Sequence, residues 1–225
     1  MKLKSHFLTT ILTPALRIWL KSQLDSLTQL QLEIKSSDQQ LLQGMIPKVL
    51  LKSELAIYKG LHFDQISLIA EQLQVNIHQI LKGQSLQLLH PLPISGKIRI
   101  TQAHLNDSLS SSLLQSGLQD FLASLLKNNS FSSLQWKKIT LQSNQFLLEG
   151  KLLHSLQDSI SIQANVDLTS PQHLLISPIA VQGFALNQEE ITPVEFDLGS
   201  QVYLQDLKIT QEAIFLEGRI IISDQ

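Results

Sequence analysis

The sequence contains no cysteine, and this absence removes several kinds of chemistry at once. Disulfide bonds, thiolate nucleophiles and cysteine-ligated zinc are all excluded. Aromatic residues are also scarce, at 5% of a chain that is 43% hydrophobic, so the interior must be built mainly from aliphatic side chains. With 225 residues, the chain is long enough for one large domain or two small ones.

Charge is the second scarcity. Charged residues make up 16% of the chain, against about 25% in an average globular protein. The formal net charge is −2 at pH 7. A general nucleic-acid binder needs a strongly basic surface to displace counterions from phosphates, so no nucleic-acid partner is expected.

Catalytic signatures are missing as well. The sequence has no G-x-S-x-G motif, no Walker A motif and no glycine-rich dinucleotide motif. Its seven histidines are scattered and contain no H-x-x-x-H pair, which disfavours a metal site. Carboxylates such as Asp64 and Asp167 fall at polar positions of predicted strands or in turns, where we expect them to be solvated. These features predict that the chain is not an enzyme and needs no metal or cofactor; a carboxylate pair brought together by the fold is the remaining alternative.

Segment 1–27 predicts an amphipathic N-terminal helix. Thr13 is a suitable cap and Pro14 suits the first helical position, where a missing N–H costs nothing. Lys2 and Lys4 precede an apolar run, as in a signal peptide, but further cations break the run and no small-residue cleavage motif follows. The run is also too short and too charged to span a bilayer. We therefore expect a cytoplasmic protein with no cleavable signal peptide and no transmembrane helix.

The apolar face of this helix has two interpretations. It packs into the core, as the apolar face of an ordinary surface helix does. Alternatively it rests on an anionic membrane, because every formal charge before Asp25 is positive. The second interpretation predicts a peripheral membrane protein with these membrane-contact residues: Leu16, Arg17, Trp19, Leu20 and Lys21.

From residue 28 the apolar residues recur at every second position. Leu30, Leu32 and Ile34 alternate with polar residues, as in a half-buried strand. Glycines between the alternating segments indicate turns or bulges. The region 28–100 is therefore predicted to form strands, at 28–37, 42–58, 62–79, 84–89 and 92–100.

The region 101–127 predicts a central helix that is apolar over a wide arc. Thr101 is a plausible cap, and Leu105, Leu109 and Leu113 follow at four-residue spacing, which places them on one helix face. Gly117 is the expected position of a kink. Because the apolar arc is broad, we expect a sheet to wrap this helix on more than one side.

The region 134–222 returns to strands and contains a weak internal repeat. The segment "KITLQSNQFLLEGKLL" resembles the later "KITQEAIFLEGRII". We predict two β-hairpins of one design, with Gly150 and Gly218 in equivalent bulge or turn positions. Further strands are predicted at 158–168, 173–184 and 193–205. No low-complexity linker divides the chain, so a single elongated domain over 1–225 is expected.

Four segments carry a resemblance to a known family. "LLQGMIPKVLL", "AIYKGLHFDQISL", "VNIHQILKGQSLQLL" and "ISGKIRITQAHLNDSL" resemble the LmeA-like phospholipid-binding family, and most closely its cyanobacterial branch. The resemblance covers roughly residues 14–120, and the chain departs from it at Gln102 and His104, where the family often has acidic residues. The matching positions have structural rather than catalytic character: Leu42, Gly44, Pro47, Tyr58, Gly60, Leu61, Asn76, Gly83, Thr101, Leu105 and Asn106.

The resemblance implies an α+β fold of the tubular lipid-binding type, in which a long, strongly curved antiparallel sheet wraps around helices and leaves an apolar groove. It also implies a phospholipid or another acyl-chain lipid as ligand, at or near a membrane, and no enzymatic activity. An alternative is a structural or protein-interaction module with a filled aliphatic core, because leucine stripes are usually core. If the central helix borders a groove, the lipid-binding residues are Leu105, Leu109, Leu113, Leu118, Phe121 and Leu122.

Overall fold

A computed structural model describes residues 5–126, 134–152, 159–183 and 192–223. The N-terminal half begins with helix α1 (Ser5–Gln23) and contains two short helices, α2 (Asp38–Leu42) and α3 (Ile77–Ile80). Its strands are β1 (Ser26–Thr28), β2 (Gln31–Lys35), β3 (Met45–Ser53), β4 (Leu55–Tyr58), β5 (Leu61–Phe63), β6 (Gln65–Gln74) and β7 (Leu92–Thr101).

Strand β7 runs directly into the helical segment that separates the two halves of the chain. This segment consists of α4 (Gln102–Asp107), a 3-10 turn (Ser108–Ser110) and α5 (Ser112–Leu126). The strands that follow are β8 (Leu134–Gln142), β9 (Gln145–Leu152), β10 (Ser159–Ser170), β11 (His173–Gln182), β12 (Val194–Asp197), β13 (Val202–Ile209) and β14 (Ala213–Ile222).

The strands form three antiparallel sheets, which confirms the α+β class. A six-stranded sheet has the order β13-β14-β7-β6-β3-β2, a five-stranded sheet the order β12-β11-β10-β9-β8, and a small sheet the order β1-β4-β5. The last hairpin, β13–β14, returns to pair with β7 in the six-stranded sheet. Both ends of the chain therefore contribute to one sheet.

Helix α1 differs from its sequence prediction at its start. The helix runs from Ser5 through Pro14 to Gln23, so the prediction that Thr13 caps it and Pro14 occupies its first position is wrong. A proline inside a helix removes one backbone hydrogen bond and disfavours the helix. Leu12 and Leu16, on either side of Pro14, are both fully buried in the core. Tertiary packing therefore holds the helix across the proline.

Two short helices were not predicted: α2 lies between two predicted strands, and α3 replaces the end of the strand predicted at 62–79. Ser37 begins α2 with a capping box, in which its side chain and that of Gln40 each bond the other's backbone N–H. The predicted strand at 84–89 is wrong, since this segment is a loop with a single bridge from Leu88 to Val75. Asn76 fixes the loop, because its side chain accepts from Gln87 N–H at 2.8 Å and donates to the Ser85 carbonyl at 3.0 Å.

The predicted central helix is broken at Ser111 and not at Gly117. Ser111 is extended, and its Oγ accepts a bond from Leu114 N–H at 3.1 Å, which caps α5. The break moves Leu109 and Leu113 off a common face: Leu109 is buried, whereas Leu113 is 41% exposed. The prediction that these two leucines share one face is therefore wrong, because serines that bond local backbone compete with a continuous helix.

Gly117 and Gly83 allow a paired stability test. A Cβ at either position would meet nothing within 4 Å, but Gly83 has a φ of 81° and Gly117 lies in the middle of α5. Gly117→Ala should raise the free energy of unfolding by about 0.5–1 kcal/mol, because alanine restricts the unfolded chain and favours helix. Gly83→Ala should lower it by about 1 kcal/mol, because the left-handed region disfavours a Cβ. Chemical denaturation of both variants checks the prediction, and equal shifts of the same sign would contradict it.

The two predicted hairpins are equivalent at their Glu-Gly pairs. In β8–β9 the partner strand has a bulge between Trp136 and Lys138, beside the residue that faces Gly150. In β13–β14 the bulge lies between Leu204 and Asp206, beside the residue that faces Gly218. The common Lys-Ile-Thr letters, by contrast, do not occupy equivalent positions, since they start at different distances from their turns. The repeated element is thus a bulge opposite a glycine.

Buried side chains form three clusters. The first packs α1, α2 and α3 on the six-stranded sheet, with Leu12 and Leu16 against residues such as Ile46. The second packs α5 on the five-stranded sheet and extends to the ends of β13 and β14. The third lies between the small sheet and the neighbouring parts of β3 and β6. The helices thus cover only parts of the six-stranded sheet.

Candidate lipid-binding site

The two faces of the six-stranded sheet differ in chemistry. One face is polar, with Lys97 Nζ 2.8 Å from Glu217 Oε2 on the adjacent strand. It carries a groove of about 560 Å³ whose lining includes Lys52 and Arg99 in addition to this ion pair. Burying an acyl chain there would desolvate several charges, so this groove does not suit a lipid tail.

The opposite face is aliphatic in every row that crosses β7, β14 and β13. The strand pairing aligns side chains at alternate positions, which point to the same face. Three adjacent rows run as follows: Ile66, Ile98, Leu216 and Leu207; Leu68, Gly96, Gly218 and Leu204; Ala70, Ile94, Ile220 and Val202.

Three separate hydrophobic clusters reach the edges of this face. The first cluster reaches the face at Ile94, the second at Leu207, and the third at Leu68. Between them lies what we call the aliphatic strip: Ile98, Val202, Leu204, Leu216 and Ile220, with Gly96 and Gly218. None of its five aliphatic side chains belongs to the clusters that the described residues form. Ile220 is 43% exposed and the other four are half-buried.

Two glycines form the floor of the strip. Gly96 and Gly218 face each other across β7 and β14, so no side chain rises from the sheet at this point. A Cβ at Gly96 would lie 2.5 Å from Leu68 Cδ2, which shows that the Leu68 side chain leans over this glycine. Glycine inside a strand is typical of places where another group approaches the backbone closely. The strip is therefore an aliphatic surface with two facing glycines at its centre.

The predicted lipid-binding residues of the central helix lie mainly in the second cluster. Leu109, Phe121 and Leu122 are buried there, Leu105 and Leu118 pack against it, and Leu113 is exposed outside it. The Phe121 ring meets two other rings, with centroids about 6 Å away at Phe146 and Phe196. Protein side chains thus fill the space around Phe121, and lipid contact by the helix residues stays a prediction.

Sequence reasoning missed the aliphatic strip, although a signal for it exists. In both β7 and β14 one phase of the alternation is entirely aliphatic except for one glycine, Gly96 or Gly218. What the sequence does not reveal is that these two glycines are paired, because one lies in the middle of the chain and the other near its C-terminal end. Without that pairing, the glycines read only as turns or bulges.

The predicted membrane-contact residues of α1 separate into buried and exposed positions. Leu16 is 2% exposed and lies in the first cluster. Trp19 and Leu20 are half-buried, whereas Arg17 and Lys21 are exposed. The helix thus has a core face and a cationic outer face. A groove of about 820 Å³ separates α1 from the segment after α3.

Several positions of the family motifs hold elements together. Asn106, in α4, accepts from Ile139 N–H at 2.8 Å and donates to the Ile139 carbonyl at 2.8 Å, which fixes β8 to the helix. Gln102, where the chain departs from the family pattern, accepts from Leu141 N–H at 2.8 Å. Thr101 caps α4 through a bond from His104 N–H. These contacts support a structural role for the motif.

The prediction that Asp64 is a solvated carboxylate is wrong. Its side chain is only 15% exposed, and its Oδ2 lies 2.9 Å from His104 Nδ1. Thr101 N–H also donates to Oδ2, at 2.6 Å. Burial raises the pKa of Asp64, but the bonds from Thr101 and His104 outweigh burial and leave the pKa below its usual value. The carboxylate therefore joins β5, β7 and α4.

The contacts of Asp64 predict that the stability difference between wild type and an Asp64 variant depends on pH. Asp64→Asn should lower the free energy of unfolding by about 1–3 kcal/mol at neutral pH, because a charged acceptor is lost. Since the folded-state pKa lies below the unfolded value of about 3.9, the stabilisation is complete above that pH and is lost as the pH falls through the folded pKa. The gap between wild type and variant should therefore shrink in acid, as measured by urea unfolding at several pH values. A gap that widens in acid would contradict this assignment.

Across 5–126, 134–152, 159–183 and 192–223, no three His, Asp or Glu side chains are grouped so that they could hold a metal ion. In the same ranges, no helix combines the length and the hydropathy needed to cross a membrane.

Comparison with known proteins agrees with the resemblance in the sequence and extends it. No curated protein and no solved structure matches the chain. The sequence model of one family matches residues 4–219, and thus includes every residue of the aliphatic strip except Ile220. The chain belongs to the LmeA-like phospholipid-binding family.

Proposed function

We propose that the chain binds a phospholipid or another acyl-chain lipid without catalysing a reaction, and that the acyl chain lies along the aliphatic strip. Family membership supports a lipid ligand. The observation that carries the position is the continuous aliphatic face between Ile98 and Ile220, which the described helices leave partly exposed.

Burial of an acyl chain against the strip supplies a favourable hydrophobic contribution to binding. Each buried methylene contributes about 0.8 kcal/mol, so roughly ten methylenes supply about 8 kcal/mol before ordering costs. The net binding free energy is smaller, because association and ordering of the chain cost several kcal/mol. Aliphatic side chains need no directional partner, so the strip accommodates chains of different length or unsaturation.

We further infer that the protein exchanges its lipid at the surface of a membrane, as a peripheral protein. The cationic outer face of α1, with Arg17 and Lys21, supports attraction to anionic headgroups. Deleting α1 is a poor test of this role, because Leu12 and Leu16 belong to the core and their loss would expose the first cluster. Surface substitutions are the better test.

Native mass spectrometry of the purified chain, followed by lipid extraction, tests the binding function. We expect the folded protein to carry an adduct with the mass of a lipid, which organic extraction releases and identifies. After delipidation, a fluorescent phospholipid should bind again with saturable kinetics. A folded protein that carries no lipid and takes up none would refute the proposal.

A structural or interaction module is the second candidate function. The complete burial of Phe121, Leu148 and Ile162 favours it for the half of the molecule around α5, which leaves no room for a ligand beside these side chains. Under this alternative the aliphatic strip would be an ordinary interface with another protein. Delipidation would then leave thermal stability unchanged, whereas under lipid binding it should lower the melting temperature, because a ligand that binds only the folded state stabilises it.

A further inference from the structure

We propose that α1, α3 and the loop at 81–90 together form a docking surface for an anionic lipid bilayer. This inference rests on the proposed lipid-binding function and names the partner from which the lipid is exchanged. The proposed surface includes not only α1 but also α3 and the loop, part of which was predicted to be a strand.

The surface carries exposed aliphatic side chains on two separate elements. Ile18 of α1 is 69% exposed, and Leu81 and Leu89 of the loop are 43% and 54% exposed. Ile18 lines one wall of the 820 Å³ groove, and Ile80, next to Leu81, lines the other. Exposed aliphatics on α1 and on the loop that forms the other wall of this groove are suited to insertion at the boundary between headgroups and acyl chains.

Charge on the two segments is complementary to an anionic membrane. Neither 5–23 nor 77–90 contains an Asp or Glu, although an even spread of the chain's 19 acidic residues over 225 positions would put about three there. Arg17, Lys21 and Lys82 are exposed cations on these segments. The overall net charge of −2 makes this local excess selective, because the rest of the chain repels an anionic surface.

The groove between the two segments has an interfacial lining. The described residues around it are apolar or uncharged, with Trp19 and Leu86 beside Gln84 and Ser85. Tryptophan and neutral polar groups are typical of the zone where a membrane changes from water to hydrocarbon. Asn76 holds the loop through its bonds to Ser85 and Gln87, so the surface is formed before it meets a membrane.

Vesicle co-sedimentation of the full-length chain tests the docking surface. The vesicles contain equal parts of phosphatidylglycerol and phosphatidylcholine, and pure phosphatidylcholine vesicles serve as the neutral comparison. Ile18→Asp and Leu81→Asp should each reduce the partition coefficient on anionic vesicles about tenfold, because a buried aliphatic contact is replaced by a charge of the same sign as the lipid. Leu55→Asp is the matched control, with the same charge change at a side chain that is 45% exposed on the small sheet.

The results of this experiment distinguish binding to the membrane surface from binding of a lipid molecule. We expect wild type and Leu55→Asp to bind anionic vesicles equally, to bind neutral vesicles weakly, and to release vesicles as salt rises above about 0.1 M. Circular dichroism confirms that each variant is folded, and the lipid content of each is measured separately. Ile18→Asp and Leu81→Asp proteins that still sediment like wild type would overturn the docking surface, whatever lipid they carry. A wild-type dimer that Ile18→Asp converts to a monomer, without vesicle binding, would overturn it in favour of a second copy of the chain.

Discussion

Ile220→Asp should remove at least nine-tenths of the lipid that co-purifies with the folded protein. Ile220 lies in the aliphatic strip and is 43% exposed, so the substitution costs little packing. An ionised carboxylate at this point would have to be desolvated beside an acyl chain. Burial of a neutral polar group already costs about 1–3 kcal/mol, and burial of a charge costs more. A loss of 1.4 kcal/mol already corresponds to a tenfold weaker complex. Extraction and mass spectrometry of the lipid, per mole of folded protein, measures the effect.

Phe215→Asp is the control that the sheet provides. Phe215 lies on the same strand as Ile220, is 40% exposed, and points to the opposite, polar face beneath Arg99. The substitution changes the charge equally and removes a larger apolar side chain. We expect lipid content to remain that of wild type. If both variants lose lipid equally, or if only Phe215→Asp loses it, the aliphatic strip is not the binding surface.

Gly150→Val and Gly218→Val should each destabilise the protein substantially. A Cβ at Gly150 would lie 2.9 Å from the Trp136 ring, and one at Gly218 would lie 2.4 Å from the Tyr203 carbonyl oxygen. Overpacking of this kind typically costs about 1–3 kcal/mol. Gly218 should be the more sensitive of the two, because its nearest contacts are backbone atoms of the adjacent strand rather than a side chain that can turn.

Thermal unfolding of the delipidated proteins measures this effect. For a chain of this size each kcal/mol lowers the melting temperature by roughly 2–4 °C. Lys151→Val is the matched control, because it adds valine at the neighbouring, exposed position of the same strand. Valine favours strands, so this variant should unfold at or above the wild-type temperature. Equal melting temperatures for all three variants would show that the bulge opposite each glycine tolerates a side chain.

The sequence predicts those parts of the fold that depend on local periodicity. Alternation in β7 and β14 and the turn between β8 and β9 are visible because neighbouring residues determine them. Short helices are different: α2 depends on the capping box at Ser37, and the break before α5 depends on the Ser111 cap. Side-chain bonds of this kind decide between alternatives that the apolar pattern leaves equal. Pro14 shows the opposite case, in which tertiary packing overrides a strong local signal.

The candidate site is less predictable because it depends on contacts between distant residues. The aliphatic strip exists because β7 pairs with β14 at Gly96 and Gly218, and this pairing joins the middle of the chain to its C-terminal end. The Asp64–His104 contact likewise joins two segments whose separate sequences indicate only solvated residues. Burial of Leu122 and Leu125 on α5 follows from the five-stranded sheet that packs on it. A leucine stripe alone does not distinguish a filled core from a ligand groove.

The most direct test of the lipid position is methyl NMR of the protein loaded with a phospholipid that carries a nitroxide on its acyl chain. The nitroxide broadens methyl signals of nearby side chains and leaves distant ones sharp. The aliphatic strip predicts broadening of Ile98, Leu216 and Ile220, with Leu122 and Ile162 of the second cluster unaffected. Broadening confined to Leu122, Ile162 and their neighbours would instead place the acyl chain beside α5 and contradict the proposed site.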